Sequence, residues 1–168
     1  MELKKEERLR AVACYSASIL GFGALGSSFL PLLKMETAGG EWIYFQSFPI
    51  FFGGEESFAL SDSTYFFDFG INIYLLVALQ LFLLGGLSTA LGRKSPRNLL
   101  FGFVLYTGAS AMAGLTPIWT RMVNPAITSS GLHLAYGYFL MLAFAVLALG
   151  ATALSLVMSR HRRPPKAE

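Results

Sequence analysis

The side chain best suited to chemistry in this 168-residue chain is His133, which precedes Tyr136 and Tyr138 at the start of a long apolar run. An imidazole beside phenols could ligate haem or a metal ion, or donate a hydrogen bond to a quinone. Haem held between two histidines of one chain needs a second one inside the apolar runs, and the other histidine, His161, lies in the basic C-terminal tail. A histidine satisfied at a membrane surface is the simpler expectation. Gln80 is the strongly polar residue of another apolar run. It could line a polar cavity, but a hydrogen bond to Ser or Thr of a neighbouring helix is the expected use of such an amide. Glu55, Glu56 and Asp62 could offer oxygens to a hard cation, yet they lack the alternating spacing of a calcium loop and read as solvated charges. Cys14, the single cysteine, has no partner for a disulfide, a redox pair or a thiolate cluster. No nucleophile with its base, paired carboxylates, phosphate-cradling glycine loop or metal-ligand cluster is present. The expectation is therefore a protein without catalysis, metal or cofactor. The alternative is a small transport or electron-transfer component binding quinone, lipid or haem near His133.

The segments that must position these residues are strongly apolar. The chain is 54% hydrophobic and 14% charged, against about a quarter charged in soluble domains. Four runs read as membrane-spanning helices, at about 11–33, 71–91, 99–116 and 131–159. At about 1.5 Å per residue the first reaches roughly 34 Å, enough for a hydrocarbon core of about 30 Å. It is too long for the apolar region of a signal peptide and reads as a retained span. Ser129 and Ser130 are candidate N-caps for the fourth run, which is long enough to tilt or protrude. The chain thus reads as a single membrane domain, an all-α four-helix transmembrane bundle. Its outer loops are 34–70 and 117–130, its inner turn 92–98, and its tails 1–10 and 160–168.

Charge gives the bundle a direction. Eleven of the 13 Lys and Arg residues fall in three tracts: Lys4, Lys5, Arg8 and Arg10; Arg93, Lys94 and Arg97; Arg160, Arg162, Arg163 and Lys166. Only Lys34 and Arg121 lie elsewhere. By the positive-inside rule the three tracts are cytoplasmic, so both termini face the cytosol of a multi-pass protein of the cell membrane. Basic groups split in this way favour anionic headgroups, not nucleic acid.

Small residues recur at four-residue spacing, which lets helices approach closely in lipid. Ala13, Ala17 and Gly21 form a row in the first run, Gly86 and Ala90 pair in the second, Ser110 and Gly114 in the third, and Ala151 with Ser155 in the fourth. These positions are expected to pack the bundle against itself, with one face left for a partner.

The first outer loop holds 11 of the chain's 24 aromatic residues, the opposite of a disordered linker. Residues 41–46 and 64–69 have strand composition, and Gly39, Gly40, Gly53 and Gly54 supply turns. Pro49 ends the first strand near Phe48. A small, partly β cap over the outer mouth is expected. Trp42, Tyr44, Phe48, Phe51, Phe52, Phe58 and Phe66 are its candidate partner-binding rings, with anchoring at headgroup depth as the alternative use. The outer side is otherwise acidic, and Arg121 is placed to pair with an acid such as Asp68.

Two cytoplasmic ends, four helices, a larger sheet-forming first outer loop and a smaller second one resemble the layout of claudin-type tetraspan proteins. That family's first outer loop carries a tryptophan-containing signature and a cysteine pair. Here Trp42 alone corresponds and the loop has no cysteine, so the resemblance carries architecture and neither the disulfide nor a paracellular role. The function expected is association, as an accessory subunit or surface-assembly component in the lipid bilayer. The partner is a second copy or another membrane protein.

Overall fold

A computed structural model of the chain describes residues 2–37, 39–59, 64–123 and 132–160. The expectations placed on Asp62, Ser129, Ser130, His161 and the basic tail beyond Arg160 lie outside the described residues. In chain order the elements are α1 (Glu2–Ser27), β1 (Leu33–Glu36), β2 (Trp42–Phe45), α2 (Ser47–Phe52), β3 (Gly54–Ala59), β4 (Thr64–Phe69), α3 (Ile73–Leu91), α4 (Pro96–Gly114), α5 (Thr116–Val123), β5 (Leu132–Leu134) and α6 (Tyr136–Arg160). The fold is mostly helical with two small sheets. Three helical stretches, Glu7–Ser27, Ile73–Leu91 and Tyr136–Ser159, are long and apolar enough to cross a membrane, and α4 with α5 makes a fourth if that pair, bent by 58°, is one span.

The four long helices form a square in which α1 and α4 each pack on α3 and α6. Tyr106 of α4 reaches across its middle and donates from its hydroxyl to the Ala17 carbonyl of α1 at 2.9 Å. Gly21 and Gly85 make room for the ring, since a Cβ on Gly21 would stand 1.9 Å from the Tyr106 hydroxyl and one on Gly85 2.8 Å from the ring edge. Ser18 ties α1 to α3 by donating to the Gly86 carbonyl at 2.9 Å. At the end away from the sheets, Arg10 donates to the carbonyls of Gly92 and Arg93 at 3.1 and 3.3 Å. A cation thereby caps the C-terminus of α3, where the helix dipole favours it.

At the other end sit the sheets. One has three antiparallel strands in the order β2-β1-β5, the other is the antiparallel β3-β4 hairpin. The two-residue alternation of a strand divides each sheet into faces. Leu33, Ile43 and Phe45 point inward and are buried, while Trp42, Tyr44 and His133 point outward. Phe45 is the centre of an aromatic core, with edge-to-face contacts to Phe67 at 4.9 Å, Phe69 at 5.5 Å and Phe58 at 5.7 Å between ring centroids. Gly53 turns α2 into β3 at φ +76°, and a Cβ there would lie 2.9 Å from the Phe69 carbonyl oxygen, so this turn admits no other residue without strain. Asn72 joins cap to bundle: its backbone N–H donates to Phe51 and its side-chain oxygen accepts from Leu75 N–H at 3.2 Å, capping α3.

Four sequence boundaries need correction. α1 stops at Ser27 and Leu33 belongs to β1, because Leu32 and Leu33 are apolar for burial under the sheet instead of for continuing the helix. The helix after Gln46 is α2, which Pro49 accommodates inside its first turn, where a missing N–H costs nothing. Residues 117–130 include the helix α5, not only loop. The last long helix begins at Tyr136, so His133 is a strand residue and not a helical one.

Candidate functional site

The residues with chemistry gather on the outward face of the three-stranded sheet. Its register sets Lys34 of β1 opposite both Tyr44 of β2 and His133 of β5, and Glu36 opposite Trp42. All of these side chains therefore share one face. The Lys34 ammonium lies over the Trp42 ring at 4.1 Å from its centroid, within cation–π range. The Trp42 ring meets His133 edge to face at 5.3 Å, and Tyr44 meets Tyr136 at 6.2 Å.

Beside this face α5 closes a cleft of about 520 Å³, lined by Lys34, Arg121 and His133 together with Leu33, Leu134 and Phe139. α5 reaches it because the chain bends after Gly114. Thr116 donates to the Ala113 carbonyl at 2.6 Å and Trp119 donates from its indole N–H to the Met112 carbonyl at 3.2 Å, tying the bent helix to the end of α4. Trp119 also stacks on Tyr74 at 4.2 Å. A second cleft, of about 400 Å³, lies at the opposite end among Tyr15, Ala90, Leu91, Arg93 and Lys94. Among the described residues, no three of His, Cys, Asp and Glu come together as a metal site would require.

The candidate rings divide into two sets. Trp42, Tyr44, Phe48, Phe52 and Phe66 are exposed, Phe66 at 78% and Phe48 at 63%. Phe51 is 1% exposed, in contact with Phe29 and Phe52, and Phe58 is half-buried against Phe45 and Phe67. These two are core residues and correct the expectation that all seven rings face a partner. Period-two alternation separates Phe58 from its neighbours. For Phe51, the one-turn helix that carries it was not legible.

Of the packing residues, Ala17 and Gly21 receive Tyr106, and Gly86 faces the Phe22 ring, 3.1 Å from where a Cβ would stand. Ala90 and Ala151 are half-buried. The Ser110 hydroxyl is buried and unpaired among the described residues. Gly114 has open space where a side chain would be, and contributes its carbonyl, which accepts from the Tyr138 hydroxyl at 3.1 Å. Sequence spacing missed Gly85, Gly102 and Gly137. A Cβ on Gly137 would lie 2.6 Å from the Pro31 carbonyl oxygen, and Gly102 and Gly137 belong to no four-residue row.

Gln80 is exposed on α3 and turned away from the bundle interior, which corrects the expectation that it bonds a neighbouring helix of the same chain. Arg121 borders the cleft with Lys34 and His133, whereas Asp68 stands on β4 opposite Glu55 in the other sheet. Glu56 accepts from the Gln46 N–H at 3.3 Å and its second oxygen is buried without a partner among the described residues. Burial pushes its carboxyl above the ordinary value of 4.5, opposed by that hydrogen bond. No protein-family model and no curated protein sequence matches this chain.

Proposed function

We propose that this is a multi-pass protein of the cell membrane, with four spans and both termini cytoplasmic. It acts without catalysis, by associating with a second copy or another membrane protein through its outer cap. The observation that carries this reading is that the cap core is already filled. Phe45, Phe51 and Phe69 are buried and Phe58 and Phe67 pack against them, while Trp42, Tyr44, Phe48, Phe52 and Phe66 remain exposed. Rings surplus to folding are what interfaces use as anchors.

The membrane part of the reading is supported by a belt of exposed apolar side chains on every long helix, among them Ile19, Leu84, Phe101 and Val146. Water tolerates such a surface poorly and lipid accepts it. Among the described residues, Arg10, Arg93, Lys94 and Arg97 lie at the end away from the sheets, which supports the orientation. Gln80 adds a helix-face contact, since an amide facing hydrocarbon lacks partners unless another chain supplies them.

Crosslinking in native membranes tests the association. Phe48→Ser with Phe52→Ser, both exposed and in contact at 4.7 Å, is expected to reduce the crosslinked species several-fold while the monomer persists. Unchanged yields would remove the cap from the interface.

A further inference from the structure

The cleft beside β5 draws together cationic residues from distant parts of the chain. Outside the three basic tracts the chain has two cationic residues, Lys34 and Arg121, far apart in sequence, and both line this one cleft with His133. The first outer loop is acidic, with Glu36 two residues from Lys34 on the same sheet face and Glu41, Glu55, Glu56 and Asp68 further along the chain. Even so, neither cation forms an ion pair among the described residues. Lys34 is instead held by the Trp42 ring. Register places Lys34 directly opposite His133, so the ammonium and an imidazole N–H stand side by side on one face. An anion in the cleft would offset the like charges of Lys34 and Arg121.

We propose that Lys34, Arg121 and His133 form a binding cleft for a phosphate group, presented by a lipid headgroup or free in solution. Arg121 supplies a planar fork that matches phosphate oxygens in pairs, Lys34 a point charge, and His133 an N–H donor. The three come from separate elements, α5, β1 and β5, so they can surround an oxyanion instead of meeting it on one side. The volume of about 520 Å³ exceeds what a bare ion needs and lies in the usual range for small-molecule sites. Leu33, Leu134 and Phe139 form an apolar wall in the same cleft, suited to the glycerol and first acyl carbons of a lipid. The proposal does not depend on association, since it shares only Trp42 with the partner-binding rings.

Trp42 gives the test its signal, because a ligand that draws Lys34 away changes the indole environment. The full chain carrying Trp119→Phe, which leaves Trp42 as the only tryptophan, is titrated in an uncharged detergent. The probes are dihexanoyl phosphatidic acid, inorganic phosphate and dihexanoylglycerol. Saturable change with phosphatidic acid and none with dihexanoylglycerol is expected. Phosphate binding about tenfold or more weaker than phosphatidic acid assigns the site to a headgroup, and equal binding assigns it to free phosphate. Arg121→Gln and, separately, His133→Gln are each expected to weaken binding about tenfold, the effect of losing one charge-assisted hydrogen bond, with thermal unfolding unchanged. Two exposed positions keep the test open should one variant fold poorly. Equal response to dihexanoylglycerol, or wild-type affinity in the folded variants, overturns the proposal.

Discussion

Tyr106 shows what a single residue can fix between helices. In the proposed bilayer setting the helices have no water to escape, so their association depends on fit and on internal hydrogen bonds. The Tyr106 ring supplies both, filling the space left by Gly21 and Gly85 and bonding Ala17 across the bundle. Gly21→Ala would place a methyl 1.9 Å from the Tyr106 hydroxyl, and overpacking of this kind costs about 1–3 kcal/mol. Thermal unfolding in mild detergent is expected to show that loss. Adding Tyr106→Leu frees the space, so the double variant should lose less than the two single losses combined. Strict additivity would mean that the two side chains do not meet.

Between the two sheets the connecting element is a carboxylate. Glu56 of β3 accepts from Gln46, between β2 and α2, and burial raises its pKa from 4.5. Below 4.5 the group is protonated whether the cap is folded or not, and its ionisation exerts no penalty. As pH rises through the higher folded value, the unfolded cap ionises first and the folded cap loses stability. Glu56→Gln keeps the acceptor and abolishes the titration. The protection of the Gln46 amide against hydrogen exchange, corrected for intrinsic rates, should fall with rising pH in the wild type and stay flat and higher in the variant. A parallel pH response in both would exclude Glu56 as its source. This element also marks how far the sequence could be read. The strands at Trp42–Phe45 and Thr64–Phe69 were legible from ring density and turn glycines. The apolar runs behind α3, α4 and most of α6 were legible from length. Apolarity reports burial without saying what covers the residue, which is why Leu32 and Leu33 read as membrane helix. The strand β5 was hidden for the same reason, since Leu132, His133 and Leu134 adjoin a long apolar run. The cationic cleft was not legible, because Lys34, Arg121 and His133 meet only through strand register and the bend before α5.

At the scale of the whole molecule, orientation decides what each end can touch. Arg10 is locked onto the α3–α4 turn, beside Arg93 and Lys94, so the described basic tracts form one cationic end. The opposite end carries the sheets, the exposed rings and the cleft. In the proposed orientation this cationic end is cytoplasmic, because translocating Lys and Arg in short loops is disfavoured, and the sequence bias is 11 residues to 2. This orientation predicts a labelling pattern. Cys14 is fully buried, so Cys14→Ala removes the native thiol from an already packed site. Ser57→Cys then introduces a thiol on the exposed side of β3, and Ser95→Cys one in the turn before α4. A membrane-impermeant maleimide is expected to label Ser57→Cys in intact cells and Ser95→Cys only after lysis. The reverse pattern would turn the cap toward the cytosol. It would also place the ring surface among cytoplasmic partners and the cleft against the inner leaflet, even though every intrachain contact stayed as it is.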